Sequence, residues 1–176
     1  MPVLAAGGIV DGRGVAAALA LGCDGAVLGT RLWASAEALG DEDHKYLLAS
    51  KKVGPDQVIR TTVRDRIANC YSDHPWPEPY DSVGMVRNGT TDKWHGREGE
   101  LDRYLSKMGS HGVPNGFVTK YRKAEEEGDH MVGAVLAGEG VGDIHTVESA
   151  FGIIQRINRE AIDIITDLPK LINNPR

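Results

Sequence analysis

Two short stretches hold residue types suited to gripping an anion: Gly7-Gly8, closing the apolar run Pro2 to Ile9, and Gly29-Thr30, closing the apolar run Ala26 to Leu28. Glycine has no Cβ, so the backbone there can come close to a ligand, and amides at a following helix start can donate to negative charge. The Thr30 hydroxyl adds a further donor. A phosphate suits such a corner better than a neutral ligand does. Taken singly, a glycine pair is an ordinary tight turn. Two glycine-bearing ends one crossover apart, the second followed by a hydroxyl, favour a phosphate.

That chemistry needs the two ends side by side, and the intervening sequence supplies the means. Asp11 can cap a helix over Arg13 to Leu21, and Gly22 can end it, because Asp accepts from free backbone N–H groups and Gly tolerates the left-handed turn. Strand, helix and strand then form a right-handed parallel crossover, with both strand ends at the carboxyl edge of one sheet.

Further on, Asp41-Glu42-Asp43 opens a helix expected to run through Lys51-Lys52 to Gly54, acid first and base last as the helix dipole prefers. From Arg60 to Gly116 prolines, glycines, aromatics and charges mix, which reads as an irregular or mixed insertion. Val118 to Glu127 is helical in pattern. Met131 to Ala137 is an apolar run that suits a buried strand or a helix segment equally. Between His145 and Leu171, Val147, Ala150, Phe151, Ile154, Ile157, Ala161, Ile164, Ile165 and Leu168 recur at helical spacing, with Pro169 marking a break near the end.

A rival for the glycines is the dinucleotide fingerprint GxGxxA, matched by Gly12-Arg13-Gly14-Val15-Ala16-Ala17. That fold wants an acidic residue after its second strand to hold a ribose, yet Asp24 precedes the strand and Thr30-Arg31 follows it. The six histidines, His44, His74, His95, His111, His130 and His145, show no metal-ligand spacing and are expected on the surface or in loops. Only His95, within Trp94-His95-Gly96-Arg97, has neighbours suggestive of a substrate pocket.

Composition narrows the partners. Lys and Arg number 20 against 25 Asp and Glu, a net charge of −5 with no basic run, which argues against nucleic acid. Apolar residues at 41% support a packed core. Met1 to Val10 is too short and lacks the basic flank of a signal peptide, and no segment is apolar enough to span a membrane. Cys23 and Cys70 form no CxxC motif and read as free thiols in a reducing cytoplasm. Asn88-Gly89-Thr90 fits a glycosylation acceptor but is more simply a turn.

Pro2-Val3-Leu4-Ala5-Ala6-Gly7-Gly8-Ile9, Asp11-Gly12-Arg13-Gly14, Leu19-Ala20-Leu21-Gly22-Cys23-Asp24-Gly25 and Gly29-Thr30-Arg31 resemble, nearly continuously, the seventh and eighth units of nitronate monooxygenases, formerly called 2-nitropropane dioxygenases. Trp76-Pro77-Glu78-Pro79-Tyr80-Asp81, Arg87-Asn88 and Ala137 to Gly142 are similar more loosely. The chain departs from the family at Asp81-Ser82-Val83-Gly84, where Asp-Gly-Arg is common, and at Glu139, where Gln is common.

The resemblance implies an α/β fold, the C-terminal part of a (β/α)8 TIM barrel with a mixed α+β insertion and C-terminal helices. Residues 1–60 would be its last two βα units, 61–145 an insertion on the substrate side, and 146–176 a C-terminal helix packing on the barrel. It also implies FMN as cofactor, held by Ala6, Gly7, Gly8, Gly29 and Thr30 at its phosphate, with Gly138 and Gly140 close by. The activity implied is oxidation of an alkyl nitronate by dioxygen to a carbonyl compound and nitrite. A flavin-dependent enoyl-acyl-carrier-protein reductase and a non-catalytic phosphate-binding or interaction fragment are the alternatives.

A complete barrel usually needs roughly 250 residues, so 176 residues imply an incomplete chain. The family's catalytic histidine falls in units with no counterpart here. Val3, Leu4, Val27 and Leu28 are then expected to lack partners, the FMN affinity of the chain alone to be weak, and the exposed strand edge to drive association into homo-oligomers.

Overall fold

The computed structural model describes residues 1–107 and 116–173; His111 lies outside them. The chain forms two compact units, Met1–Pro55 with Gly138–Arg176, and Asp56–Ala137.

In the first unit, strand β1 (Leu4–Ala6) pairs in parallel with β2 (Gly25–Val27), Leu4 opposite Gly25 and Ala6 opposite Val27. Helix α1 (Gly12–Ala20) makes the crossover. Asp11 caps it by accepting from the Gly14 amide, and Gly22, at φ +96°, turns the chain out of it, as the sequence indicates. After β2 comes the single turn α2 (Thr30–Trp33), then α3 (Glu42–Leu48).

Helix α3 does not reach Lys51-Lys52. The Ser50 hydroxyl donates to the Leu47 carbonyl at 2.6 Å and accepts from the Lys52 amide at 3.3 Å, turning the chain where the charge pattern alone would continue it. His44 on α3 is buried, contrary to the expected surface placement. His74, His95 and His145 are exposed and His130 is half-buried.

The long helix α8 (Ala150–Asn173) packs Ile153, Ile157 and Ala161 against α1. Its contact is so close that a Cβ at Gly12 would sit 2.3 Å from the Glu160 Cβ and 2.6 Å from the Ala161 amide nitrogen. The helix continues through Pro169 instead of breaking there. Residues 165–170 are exposed, so water can take up the backbone carbonyl that a proline leaves without its N–H partner.

The second unit is more regular than its prolines and glycines suggest. Strand β3 (Val58–Thr61) pairs antiparallel with β4 (Val83–Val86), followed in sequence by α5 (Gly89–Trp94), α6 (Glu98–Lys107) and α7 (Gly116–Glu127), with α4 (Val63–Ala68) between the strands. The apolar run Met131 to Ala137 is neither full strand nor helix. Its end lies along β4, where Val86 donates to the Val135 carbonyl at 2.9 Å and Ala137 to the Gly84 carbonyl at 3.0 Å. Gly84 is obligatory there, because a Cβ would meet the Ala137 oxygen at 2.4 Å.

Val63, Ile67, Trp94, Leu101, Val118 and Tyr121 form this unit's core. Asn88 is buried and caps α5 through the Thr90 and Thr91 amides while its own amide donates to the Gly133 carbonyl at 2.7 Å. It is thus a helix cap and not the open turn read from Asn88-Gly89-Thr90. No helix among the described residues is long and apolar enough to cross a membrane.

Candidate functional site

Because β1 and β2 run parallel and end together at the Ala6–Val27 pair, Gly7-Gly8 and Gly29-Thr30 emerge side by side from the same rim. The geometry that the sequence demanded of these two ends is therefore present. Gly7 and Gly8 take φ of +104° and +66°, in the left-handed region that glycine alone enters freely.

A third segment joins them. The Gly138 amide donates to the Thr30 hydroxyl oxygen at 2.8 Å, across 108 residues of sequence. The 3-10 turn Glu139–Asp143 then brings Gly140 against the first end, where an added Cβ would stand 2.6 Å from the Gly8 carbonyl oxygen and 2.8 Å from a Val10 methyl. Ala6, Gly7, Gly8, Gly29, Thr30, Gly138 and Gly140 are thus gathered at one corner of the first unit.

The corner is closed on one side and open on the other. Gly138 and Gly140 face protein, whereas a Cβ at Gly7, Gly8 or Gly29 meets nothing within 4 Å. Thr30 accepts from Gly138, so its own proton remains to be donated elsewhere. These seven residues carry no titratable side chain. They can hold an anion through backbone and hydroxyl groups, and they cannot take up a proton from a substrate.

Arg31, next to Thr30, is absent from the sequence reading of the site, and its role differs from the one its charge suggests. The side chain is 2% exposed and turns away into an ion pair with Glu148 at 2.8 Å and toward the Ala34 carbonyl at 3.4 Å. Burial pushes its guanidinium below the ordinary arginine range, while Glu148 and the Thr146 hydroxyl bond hold the arrangement together. The Thr146 bond, together with Arg156 and Arg31, lowers the Glu148 carboxyl below the usual carboxylate range against the opposing effect of burial. Ala36 also donates to the Glu148 carbonyl at 2.9 Å, so residues 146–148 lie along the exit of α2 and fix it.

The dinucleotide reading fails on geometry. A pyrophosphate would need the amides at the start of α1, but Gly12 donates to the Glu160 carboxylate at 3.0 Å and Gly14 to Asp11 at 3.0 Å. Burial works to raise Asp11, yet the Gly14 and Arg13 bonds outweigh it and keep its pKa low. The groove beside that helix start holds Asp11, Asp143, Glu160 and Asp163 with Arg13 and Arg156, and both arginines are already paired with its carboxylates. Gly12 and Gly14 serve packing, against α8 and against Ile9.

Trp94 turns into the core of the second unit, with Tyr104 at 5.4 Å between ring centroids, and His95 stands exposed with Glu98 3.6 Å away.

Comparison with known proteins gives a consistent picture. A family model described as nitronate monooxygenase matches residues 1–160. The nitronate monooxygenase npaC of Metarhizium robertsii is 30% identical over 173 residues, covering 96% of this chain and 43% of that protein. Among solved structures, FabK from Thermotoga maritima is similar with a TM-score of 0.72 and 28% identity, over 97% of this chain and 47% of its own. A nitroalkane oxidase from Streptomyces ansochromogenes shares the fold at a TM-score of 0.67 and 22% identity, over 96% of this chain and 41% of its own. Both structures are TIM-barrel enzymes, and the fold here is that of part of such an α/β barrel. The chain spans less than half the length of these relatives.

Proposed function

The chain belongs to the nitronate monooxygenase family of oxidoreductases, and we propose that its glycine corner holds the phosphate of FMN in an enzyme that oxidises alkyl nitronates with dioxygen. The observation that carries this reading is the Gly138 amide bonded to Thr30 with Gly140 seated on Gly8, which ties three segments into one cradle while leaving Gly7, Gly8 and Gly29 open. The residues present fit a phosphate monoester: the open side offers unhindered backbone and a hydroxyl proton, and no carboxylate belongs to the set.

The bound flavin would supply the redox chemistry, accepting electrons from the nitronate and passing them to oxygen, with a carbonyl compound and nitrite as products. The chain's own part is to anchor and orient. Gly7, Gly8, Gly29 and Thr30 receive the phosphate, with Ala6 placing the first turn at the end of β1. Gly138 and Gly140 brace the cradle from behind. Arg31 and Glu148 hold α2 so that Thr30 keeps its direction. The two free thiols, Cys23 and Cys70, suit a reducing cytoplasm, where we place the enzyme.

Affinity in this chain alone is expected to be weak, because Val3, Leu4 and Val27 on the strand pair are about half exposed. Leu28 is half-buried and better covered than the sequence suggests. The test is therefore a ratio: titrate the chain with FMN and with riboflavin, which lacks the phosphate, and follow flavin fluorescence. FMN should bind at least about tenfold tighter, a difference of about 1.4 kcal/mol. Equal affinities would overturn the assignment. Nitrite release from a nitronate under oxygen, set against reduction of an enoyl thioester by NADH, separates the nitronate enzyme from an enoyl-acyl-carrier-protein reductase. Phosphate binding with neither turnover would mark a non-catalytic binding module.

A further inference from the structure

The third segment brings a charge to the cradle as well as backbone. Glu139 lies between Gly138, whose amide donates to the Thr30 hydroxyl at 2.8 Å, and Gly140, seated against Gly8 and Val10. The turn beyond them is held too. Val141 is fully buried and donates to the Gly138 carbonyl at 3.1 Å, and a Cβ at Gly142 would stand 3.0 Å from the Pro55 Cδ. The Glu139 backbone therefore cannot draw back from the corner.

Its side chain is exposed and makes no hydrogen bond or ion pair among the described residues. Consecutive Cα atoms are about 3.8 Å apart, so in any rotamer the carboxylate stays within about 10 Å of Gly138 and Gly140. That is about one Debye length at 0.1 M salt. The arginines beside the cradle segments are already taken. Arg31 leads away to Glu148, and Arg13 is shared between Asp11 at 2.6 Å and Asp143 at 3.6 Å. The cradle thus offers a phosphate donors without a cation, and the Glu139 carboxylate stands beside it unanswered.

We infer that Glu139 is a specificity-determining residue of this site. Its unpaired carboxylate opposes the phosphate, so the preference for a phosphorylated flavin is held down at low ionic strength and recovers as salt screens the repulsion. This rests on the flavin reading of the corner and adds to it a residue that selects against charge on the ligand. A phosphate monoester carries close to two negative charges at about pH 8, its second pKa being about 6. Two charges facing one across about 9 Å of water, at about 10 mM ionic strength, shift an equilibrium about threefold. Near 1 M, where the Debye length is about 3 Å, the effect is gone.

The test titrates the full chain with FMN and with riboflavin, following flavin fluorescence. Glu139→Gln, the neutral isostere, should bind FMN about threefold tighter than the parent at about 10 mM ionic strength and within about 1.5-fold of it near 1 M. Glu139→Lys should gain about tenfold at low salt. Riboflavin has no phosphate and should bind parent and variants alike. Asp167→Asn removes the same charge about 10 Å beyond Glu160 along α8 and should leave FMN affinity unchanged. Glu139 is exposed, so both of its variants should keep the parent's circular dichroism spectrum.

Two kinds of failure are distinct. FMN favoured over riboflavin but indifferent to both Glu139 substitutions overturns the role of Glu139 and leaves the phosphate site standing. So does a gain shared by riboflavin, or one matched by Asp167→Asn. FMN and riboflavin bound alike by all four chains overturns the phosphate site itself, and this inference with it.

Discussion

Replacing Gly140 by alanine tests whether the third segment is seated on the first. The new methyl would lie 2.6 Å from the Gly8 carbonyl oxygen, 2.8 Å from the Val10 Cγ1 and 3.0 Å from the Gly8 carbonyl carbon. Ordinary contact begins near 3.4 Å, so the loop must withdraw by the difference between 3.4 and 2.6, or 0.8 Å. Two of the three atoms belong to backbone held at positive φ, which cannot swing aside as a side chain would.

Overpacking of this kind costs about 1–3 kcal/mol. The withdrawal also stretches the 2.8 Å bond from Gly138 to Thr30 toward breaking, a further loss of about 1 kcal/mol. A chain of this size loses roughly 2–4 °C of melting temperature per kcal/mol, so Gly140→Ala should melt roughly 4–16 °C below the parent in a circular dichroism scan. Gly29→Ala is the control. Its methyl meets nothing within 4 Å, so it should melt within about 1 °C of the parent while obstructing the open side of the cradle. An unshifted Gly140→Ala, or a Gly29→Ala destabilised as strongly, would refute the reasoning.

Three further outcomes are expected. Gly12→Ala drives a methyl into backbone of α8 at 2.6 and 2.8 Å and should cost about 3 kcal/mol, seen as a lowered urea midpoint; a neutral result would mean that α1 and α8 are not packed there. Glu148→Ala strands the buried Arg31 and should cost about 2 kcal/mol, less than a fully buried pair because Glu148 remains a third exposed. The Glu148 carboxyl is lowered in the folded chain, so its contribution is complete above the ordinary glutamate range and lost as pH falls through the lowered value. Acid titration of the parent and of Glu148→Gln should accordingly converge at low pH, and parallel curves would contradict the pairing. Leu101→Ala, at a fully buried position of the second unit, should cost about 2–5 kcal/mol and leave the FMN-to-riboflavin ratio unchanged.

Much of the corner was legible in the sequence because each step depended on local chemistry. Asp11 and Gly22 bound α1, and the parallel crossover then brings Gly7-Gly8 beside Gly29-Thr30 whatever the rest of the chain does. What escaped were long-range partners. Nothing near Arg31 announces Glu148, 117 residues away, and a basic residue after a glycine corner invites reading as a ligand when it is in fact buried. Gly12 and Gly14 mimic a nucleotide fingerprint, while their neighbours across α8 and Ile9 show a packing role. Helix ends failed where a side chain redirected the backbone, as at Ser50, or where exposure relieved a proline's cost, as at Pro169. The tight course of the second unit around Asn88 depends on carbonyls more than 40 residues away, which no local pattern encodes.

The central claim is that three separate segments make one phosphate site, and amide chemical shifts read it most directly. Titrating the isotopically labelled chain with FMN, and in parallel with riboflavin, should move the Gly7, Gly8, Gly29 and Thr30 amides with FMN alone, and Gly29→Ala should suppress the response. Equal shifts with both flavins, or FMN shifts centred on Gly12 to Gly14 at the start of α1, would contradict it.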